Sequence, residues 1–463
     1  MNALILAALA LAAPPRTFRV DYFHTGSATE ERFALDRLVL EPLPFPGNPD
    51  RPVDDLDLGK YLFEVRERGT NRLLYSRGFS SIYGEWETTA EAREATRTFS
   101  ESLRFPAPAG PVQVIVKKRD RHNAFREVWS LLVDPKDPTV DPSLPPAPAP
   151  VVEIHVKRPP ERALDLLLLG DGYTAAGCRT FEAQARRLTA ALLAVEPFRS
   201  RADAIAVRAI CPPAAEPGVS RPSTGLHRAS PLGATYDAFG SERYVLTFEN
   251  RRLREVASRA PYDALAILVD GETYGGGGIF GQYATVAAGS LWAPYVFVHE
   301  LGHHLAGLAD EYFTSDTAYL PAERVEPWEP NVTALLDPAA LKWKALATPG
   351  VPLPTPWDEE GYERRGKAFG ERRKAIRARN APEAEMDALF LQQKQEETAR
   401  LGAEPHAGQV GAFEGANYAA KGFYRPQVDC VMFSRDDVPF CAVCRSALDR
   451  LIDLYAGPRA GGR

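Results

Sequence analysis

Between residues 16 and 134 the chain is built of short runs in which apolar and polar positions alternate or cluster. Phe18-Arg19-Val20-Asp21-Tyr22-Phe23, Tyr61-Leu62-Phe63-Glu64-Val65 and Val112-Gln113-Val114-Ile115-Val116 are typical, and Gly and Pro turns separate them. Such runs suit strands that bury one face, so residues 16–134 are expected to form an all-β, sandwich-like domain. From Pro135 to Pro150 proline replaces the apolar pattern, which predicts a stiff, extended linker and the main boundary of the chain. Beyond it the pattern changes. Leu164 to Leu169 is an unbroken apolar run, as in a strand buried on both faces, and it ends in the turn Gly170-Asp171-Gly172-Tyr173-Thr174. Helical spacing follows over 179–195, a strand over 203–211, a charged helix over 250–259 and a second buried strand from Tyr262 to Asp270. This alternation predicts an α/β sheet layer within residues 151–463.

Two further stretches are distinctive. Gly275 to Gly278 lacks the spacing of a phosphate-binding loop and reads either as a flexible lead-in to an edge strand over Ile279–Val286 or as a surface loop. An open edge there would suit an extended peptide held by main-chain hydrogen bonds. Residues 358–401, rich in Glu, Arg, Lys, Ala and Gln, predict one or two exposed helices with a solvated charged face.

Composition narrows the function classes. A chain of 463 residues has room for two or three domains. Its net charge of −6, with both signs spread along the sequence, offers no concentrated basic face for nucleic acid. Residues 2–13, NALILAALALAA, end in the small-x-small pattern Ala10-Leu11-Ala12 and are too short to span a bilayer. The segment 1–13 is read as a signal peptide, although its start lacks Lys or Arg, and the protein is expected to be exported to the periplasm or beyond. No later stretch is long and apolar enough for a membrane helix, and nothing in the sequence specifies an oligomeric state.

Export permits disulfides among Cys178, Cys211, Cys430, Cys441 and Cys444. With three of the five near the C-terminus, a local bridge is expected there, in preference to Cys441-x-x-Cys444 acting as half of a zinc site. His24 and His122 are isolated and are read as structural.

The chemistry is concentrated in VHELGHHLAGLADEY, residues 298–312. On a helix, His299 and His303 lie one turn apart on one face and can grip one zinc, with Glu300 beside them as general base. Pro294 suits the first turn, Val298, Leu301 and Leu305 form an apolar stripe, and Gly307 is a natural stop. Catalytic zinc takes three protein ligands and keeps one open position. Compact zincins place the third ligand three residues after the helix-ending Gly, which here is Asp310. Gly and acid both lie one residue later than the usual metzincin spacing, and an Asp stands where His is usual. Asp310 is therefore placed first as the third ligand, ahead of Glu414 and then Glu311. His304 points off the metal face and is expected at the surface or behind the ligands. Met432 is a candidate for the Met-turn beneath a metzincin site, with a gap-filling core Met as the alternative. Tyr418 and Tyr424 are candidates to donate to a tetrahedral oxyanion.

These motifs resemble the IgA-peptidase family of bacterial zinc metallopeptidases. The matching pieces are LLLGDGYT (167–174), YGGGGIF (274–280), HELGHHLAGLADEY (299–312), FEGANYAAKGFYRP (413–426) and DCVMFS with FCAVC (429–444). The β-domain before the linker resembles the family's N-terminal domain. The resemblance implies a zinc-dependent endopeptidase carrying one catalytic zinc, with His299, Glu300 and His303 matching the family motif, and a polypeptide substrate. It does not imply immunoglobulin A as that substrate, and the stretch 358–401 reads as an insertion. The expected fold is thus an α+β zincin catalytic domain, a mixed sheet with an active-site helix, preceded by the all-β domain. Rival expectations are a zinc hydrolase of non-peptide amide bonds and an inactive zincin-fold binding protein.

Overall fold

The computed structural model describes residues 14–143, 145–315, 317–320 and 323–459; the apolar run 2–13 lies outside the described residues. The first part is all-β apart from one short helix. Strands β1 (Arg16–Gly26), β2 (Glu31–Pro44), β3 (Tyr61–Glu67) and β4 (Leu73–Phe79) precede helix α1 (Ile82–Trp86), and β5 (Arg97–Pro106), β6 (Val112–Arg119) and β7 (Phe125–Val133) follow it. They form two antiparallel sheets, β2-β1-β5 and β4-β3-β6-β7. Phe18, Val20 and Tyr22 from one sheet meet Phe63, Val65, Val114 and Val116 from the other in one core. The alternate positions of β1, Arg19 and Asp21, are buried as well. They join Glu41, Arg37 and Arg104 in an ion-pair network that reaches Glu255 and the Tyr262 carbonyl in the second part of the chain. The proline-rich stretch does not run free: Asp141 exchanges hydrogen bonds with Leu38 and Leu40 and extends the β2 edge.

The second part begins with β8 (Val151–His155), β9 (Leu164–Asp171), α2 (Cys178–Leu193) and β10 (Ile205–Ile210). A two-stranded ribbon, β11 (Ala234–Thr235) with β12 (Leu246–Thr247), precedes α3 (Asn250–Ala257), β13 (Ala264–Val269), β14 (Gly276–Ile279), β15 (Tyr283–Ala287) and α4 (Ala293–Ala306). The main sheet has the order β14-β15-β13-β9-β10-β8; its four central strands are parallel and both edges antiparallel. Every residue of β9 is buried: helices cover one face, and on the other Leu167 and Leu169 share a core with Leu253 and Ala257 of α3 and with Trp86 and Phe99 of the first part. The fold is therefore mixed α/β behind an all-β region.

Three expectations change. The edge strand is the glycine run itself, with β15 lying inside it. The reason is steric: a Cβ on Gly276 would stand 2.6 Å from Val296 Cγ1, and one on Gly278 2.4 Å from the Glu300 carbonyl oxygen. Only glycine lets β14 lie flush against α4.

The charged stretch forms two helices, α5 (Glu359–Ala378) and α6 (Glu383–Gly402), but its solvated face is only half the story. Tyr362, Phe369, Met386, Leu389, Phe390 and Leu401 are buried in the main core. Arg373 and Arg377 anchor the pair to Glu242.

The disulfide joins Cys178 to Cys211, tying the start of α2 to the end of β10, and Cys430, Cys441 and Cys444 are free thiols. Cys441 instead caps the last helix, α7 (Ala442–Ala456), its sulfur accepting the Cys444 N–H. A final hairpin of β16 (Phe413–Ala416) and β17 (Ala419–Arg425) lies between α6 and α7. Among the described residues no helix is long and apolar enough to cross a membrane.

Candidate metal centre

Helix α4 starts with Pro294 in its first turn and stops at Gly307, whose φ of +57° a side chain would resist. A Cβ at Gly307 would also strike the Trp328 ring at 2.5 Å. Val298, Leu301 and Leu305 are buried, and the helix packs on β14, β15, α2 and α7. This seating points His299 and His303 the same way, their Nε2 atoms 3.1 Å apart. The αL stop reverses the chain and returns Asp310 to both rings, its Oδ1 lying 3.0 Å from His299 Nε2 and 3.3 Å from His303 Nε2.

The outer nitrogens fix the tautomers. His299 Nδ1 lies 2.9 Å from the Val431 carbonyl and His303 Nδ1 2.5 Å from the Leu308 carbonyl. A carbonyl can only accept, so both Nδ1 atoms carry protons and both Nε2 lone pairs face inward. Three electron-pair donors thus converge. Their separations match the edges, roughly 3.3 Å, of a tetrahedron with metal–nitrogen and metal–oxygen bonds of about 2.0–2.2 Å. The three residues fit a divalent cation of the zinc type.

The electrostatics agree. Burial opposes the charge on Asp310, but the two imidazoles outweigh it and hold the carboxyl well below its usual range. Burial likewise opposes a proton on His303, yet Asp310 and Glu300 raise its pKa to about 9, so without a metal a proton on Nε2 takes the place that a cation would fill. Glu300 lines the same cleft, and burial raises its carboxyl pKa above the ordinary carboxylate value. The cleft has a volume of about 1010 Å³. Gly277 and Gly278 of β14 form one wall, α6 contributes Gln393 and Lys394, and the all-β region contributes Lys60 and Glu85.

The remaining expectations divide. Tyr418 reaches the site, but its phenol donates to Asp310 Oδ2, so in this arrangement it orients that carboxylate and is not aimed at an oxyanion. Met432 is fully buried beneath α4, and its sulfur lies 2.8 Å from where a Cβ on Gly302 would be. Its neighbour Val431 supplies the carbonyl that holds His299. Glu414 is not brought in: it serves Gly422, Lys421 and Tyr424 within the β16–β17 hairpin, and Tyr424 stays there with it. Glu311 points away from the histidines toward the three free cysteines. His304 is buried, not at the surface. It accepts the Leu265 N–H and donates to the Ile279 carbonyl, and burial holds its pKa down to about 4, so it stays neutral.

Sequence reasoning missed the carbonyls of Val431 and Leu308, which carry no side-chain signal, and the contribution of the all-β region to the cleft. It also missed Arg243, which lines the cleft and donates to the Tyr312 hydroxyl.

Comparison with known families places a match to the model described as IgA Peptidase M64 over residues 152–452. A second model, described as Peptidase M64 N-terminus, matches residues 12–130. No curated protein matches the chain.

Proposed function

The chain belongs to the IgA peptidase M64 family, which makes it a peptidase, and on that premise we propose that it is an exported, zinc-dependent endopeptidase with a zincin-type catalytic domain. The observation that carries this reading is the convergence of His299 Nε2, His303 Nε2 and Asp310 Oδ1 beside Glu300 on one wall of a deep cleft. When bound, zinc supplies Lewis acidity that polarises the scissile carbonyl and makes water a better nucleophile at neutral pH. The chain does the rest. His299, His303 and Asp310 hold the ion, and Glu300 takes a proton from the attacking water and hands it to the departing amine. Gly277 and Gly278 of β14 line the cleft, where an extended polypeptide would lie along the strand, while the outward main-chain groups of Gly276 are already taken by Arg243 and Val245. Immunoglobulin A is not implied as the substrate.

The proposed organisation is a signal peptide over 1–13, an all-β domain over 16–134, a linker over 135–150 and the catalytic domain over 151–463. The apolar run 2–13 and the Cys178–Cys211 disulfide support export. The test is hydrolysis of unfolded polypeptides by the purified chain, with and without a chelator, alongside Glu300→Gln. The chelator should abolish cleavage. Glu300→Gln should lower it by roughly 10²–10⁴-fold while the metal stays bound. Cleavage that survives both treatments would overturn the assignment, and hydrolysis of small amides alone would favour a non-peptide amidase.

A further inference from the structure

Behind the histidine helix the structure gathers a second set of donors that the proposed catalysis does not use. Cys430, Cys441, Cys444 and Glu311 offer ligand atoms that all lie within 4.8 Å of one another, and all four residues are buried, none more than 3% exposed. Cys430 Sγ stands 3.9 Å from Cys444 Sγ, and Glu311 Oε1 stands 3.9 Å from Cys441 Sγ and 3.2 Å from Cys444 Sγ. A tetrahedral zinc with sulfur bonds of about 2.3 Å and an oxygen bond of about 2.0–2.2 Å has edges of roughly 3.5–3.8 Å. The sulfurs are too far apart to be bonded to each other, and too close for four buried groups with no shared purpose.

Two independent features point to a cation, and a third suits the charge it would leave. Glu311 Oε2 is buried with no hydrogen-bond partner, while Oε1 accepts the Asn331 side-chain N–H. An orphaned carboxylate oxygen of this kind is costly unless something outside the protein satisfies it. Main-chain N–H groups are aimed at the sulfurs: Met432 N and Cys441 N at Cys430 Sγ, and Cys444 N at Cys441 Sγ. Such donors favour thiolates over thiols. Three thiolates and a carboxylate around a divalent ion would leave net negative charge. Arg425, fully buried, lies on the same segment, donating to the Val428 carbonyl two residues before Cys430. Among the described residues no carboxylate forms an ion pair with it; its other partners are the carbonyls of Glu414 and Gly415 and the rings of Trp357 and Phe433.

We propose that Cys430, Cys441, Cys444 and Glu311 bind a second, structural zinc ion. With four protein ligands it would be closed to substrate. Its place suggests its use. Glu311 follows Asp310 directly, and its N–H is held by the Met432 carbonyl. Cys430 opens the turn whose Val431 carbonyl holds His299, and Cys441 and Cys444 begin α7, which packs on α4. One ion would tie together the segment of the third catalytic ligand, the turn beneath the histidines and the last helix. The free thiols would also be shielded from oxidation outside the cell.

The test is metal stoichiometry on the full-length protein, purified without chelator. The wild type should hold two zinc ions per chain by elemental mass spectrometry, and His299→Ala/His303→Ala should hold one. Reconstituted with cobalt, that double variant should show thiolate-to-cobalt charge transfer in the near ultraviolet. The absorption needs sulfur ligands, so it identifies the site even if Cys441→Ser/Cys444→Ser fails to fold. A single ion in the wild type with none in the histidine variant, a cobalt spectrum without charge transfer, or a disulfide between any two of the three cysteines in non-reduced peptide mapping would each overturn the proposal.

Discussion

The phenol of Tyr418 donates to Asp310 Oδ2 from the second position of a two-residue hairpin turn in which Asn417 and Tyr418 have φ of +53° and +60°. Two positive φ values between antiparallel strands define a type I′ turn, where Asn is at home and an aromatic residue is strained by ~1 kcal/mol or more. The turn is fastened to the ligand segment, with Asn417 N donating to the Asp310 carbonyl and Tyr418 N to that of Tyr312. The strain is thus held where it aims a hydroxyl at a carboxylate. Tyr418→Phe keeps the turn and the ring and loses only the hydrogen bond. Metal affinity measured by chelator competition should fall about 10–100-fold, as for other residues that orient a ligand. An unchanged affinity would mean that Asp310 is positioned without Tyr418.

The third ligand separates Asp310 from Glu414, two of the three carboxylates that the sequence left in competition. Asp310→Asn should lose the metal and the activity together, because an amide oxygen is a far weaker partner for the ion than a carboxylate. Glu414→Gln should retain both, since its neighbours are Gly422, Lys421 and Tyr424. Metal content and peptide hydrolysis of the two variants, measured side by side, decide it. The reverse pattern would place the ligand on the hairpin.

What the sequence made legible was whatever is local. The buried run Leu164–Leu169, the i, i+4 spacing of His299 and His303, and Gly307 as a helix stop are each read within a few residues, and each stands in the structure. Asp310 was within reach because only the αL stop separates it from the helix. What failed was non-local. Cys178 pairs with Cys211 across a helix and a strand, while the three clustered thiols stay apart, and spacing alone cannot tell the two cases apart. The glycines looked like a loop because their reason is a helix that packs on them from later in the chain. Arg19 and Asp21, the polar positions of β1, are buried as well, and alternation along one strand cannot show that both its faces are covered.

The close approach of β14 to α4 gives a steric prediction. At Gly278 an added methyl would meet the Glu300 carbonyl oxygen at 2.4 Å and His303 Cβ at 2.9 Å, both on the helix that carries the site. Overpacking of this kind costs about 1–3 kcal/mol, and a displacement near 1 Å in a catalytic group can cost about 10²-fold in rate. Gly278→Ala should therefore lose activity out of proportion to its lowered melting temperature. Gly370, on α5, has nothing within 4 Å of the same position. Gly370→Ala should raise stability by about 0.5–1 kcal/mol and leave the rate alone. Equal activity in the two variants would show that the strand does not set the helix.

The last prediction concerns pH and the all-β region, away from any metal ligand. His24 is fully buried between the rings of Phe33 and Tyr83. Its Nδ1 lies 3.2 Å from Glu101 and its Nε2 3.1 Å from Glu31. Burial opposes its charge, but the two carboxylates outweigh burial and raise its pKa. Around them, Tyr22 donates to Glu101, and Tyr61 and Lys118 bind Glu31, whose own pKa falls to about 2, with burial opposed by His24 and Lys118. The signs follow from linkage. His24 binds its proton more tightly when folded, so its contribution is complete below about pH 6.5, the unfolded value, and fades as pH rises through the folded pKa. Glu31 works in the opposite sense, complete above about pH 4.3 and lost as acid drives pH toward 2. The cluster therefore stabilises most between about pH 4.3 and 6.5. His24→Gln, which strands two buried carboxylates, should destabilise by about 3 kcal/mol within that window and by progressively less in alkali. Thermal unfolding of wild type and variant from acid to alkali reads the difference directly. A difference that stays flat across pH would show that His24 is neutral in the folded protein.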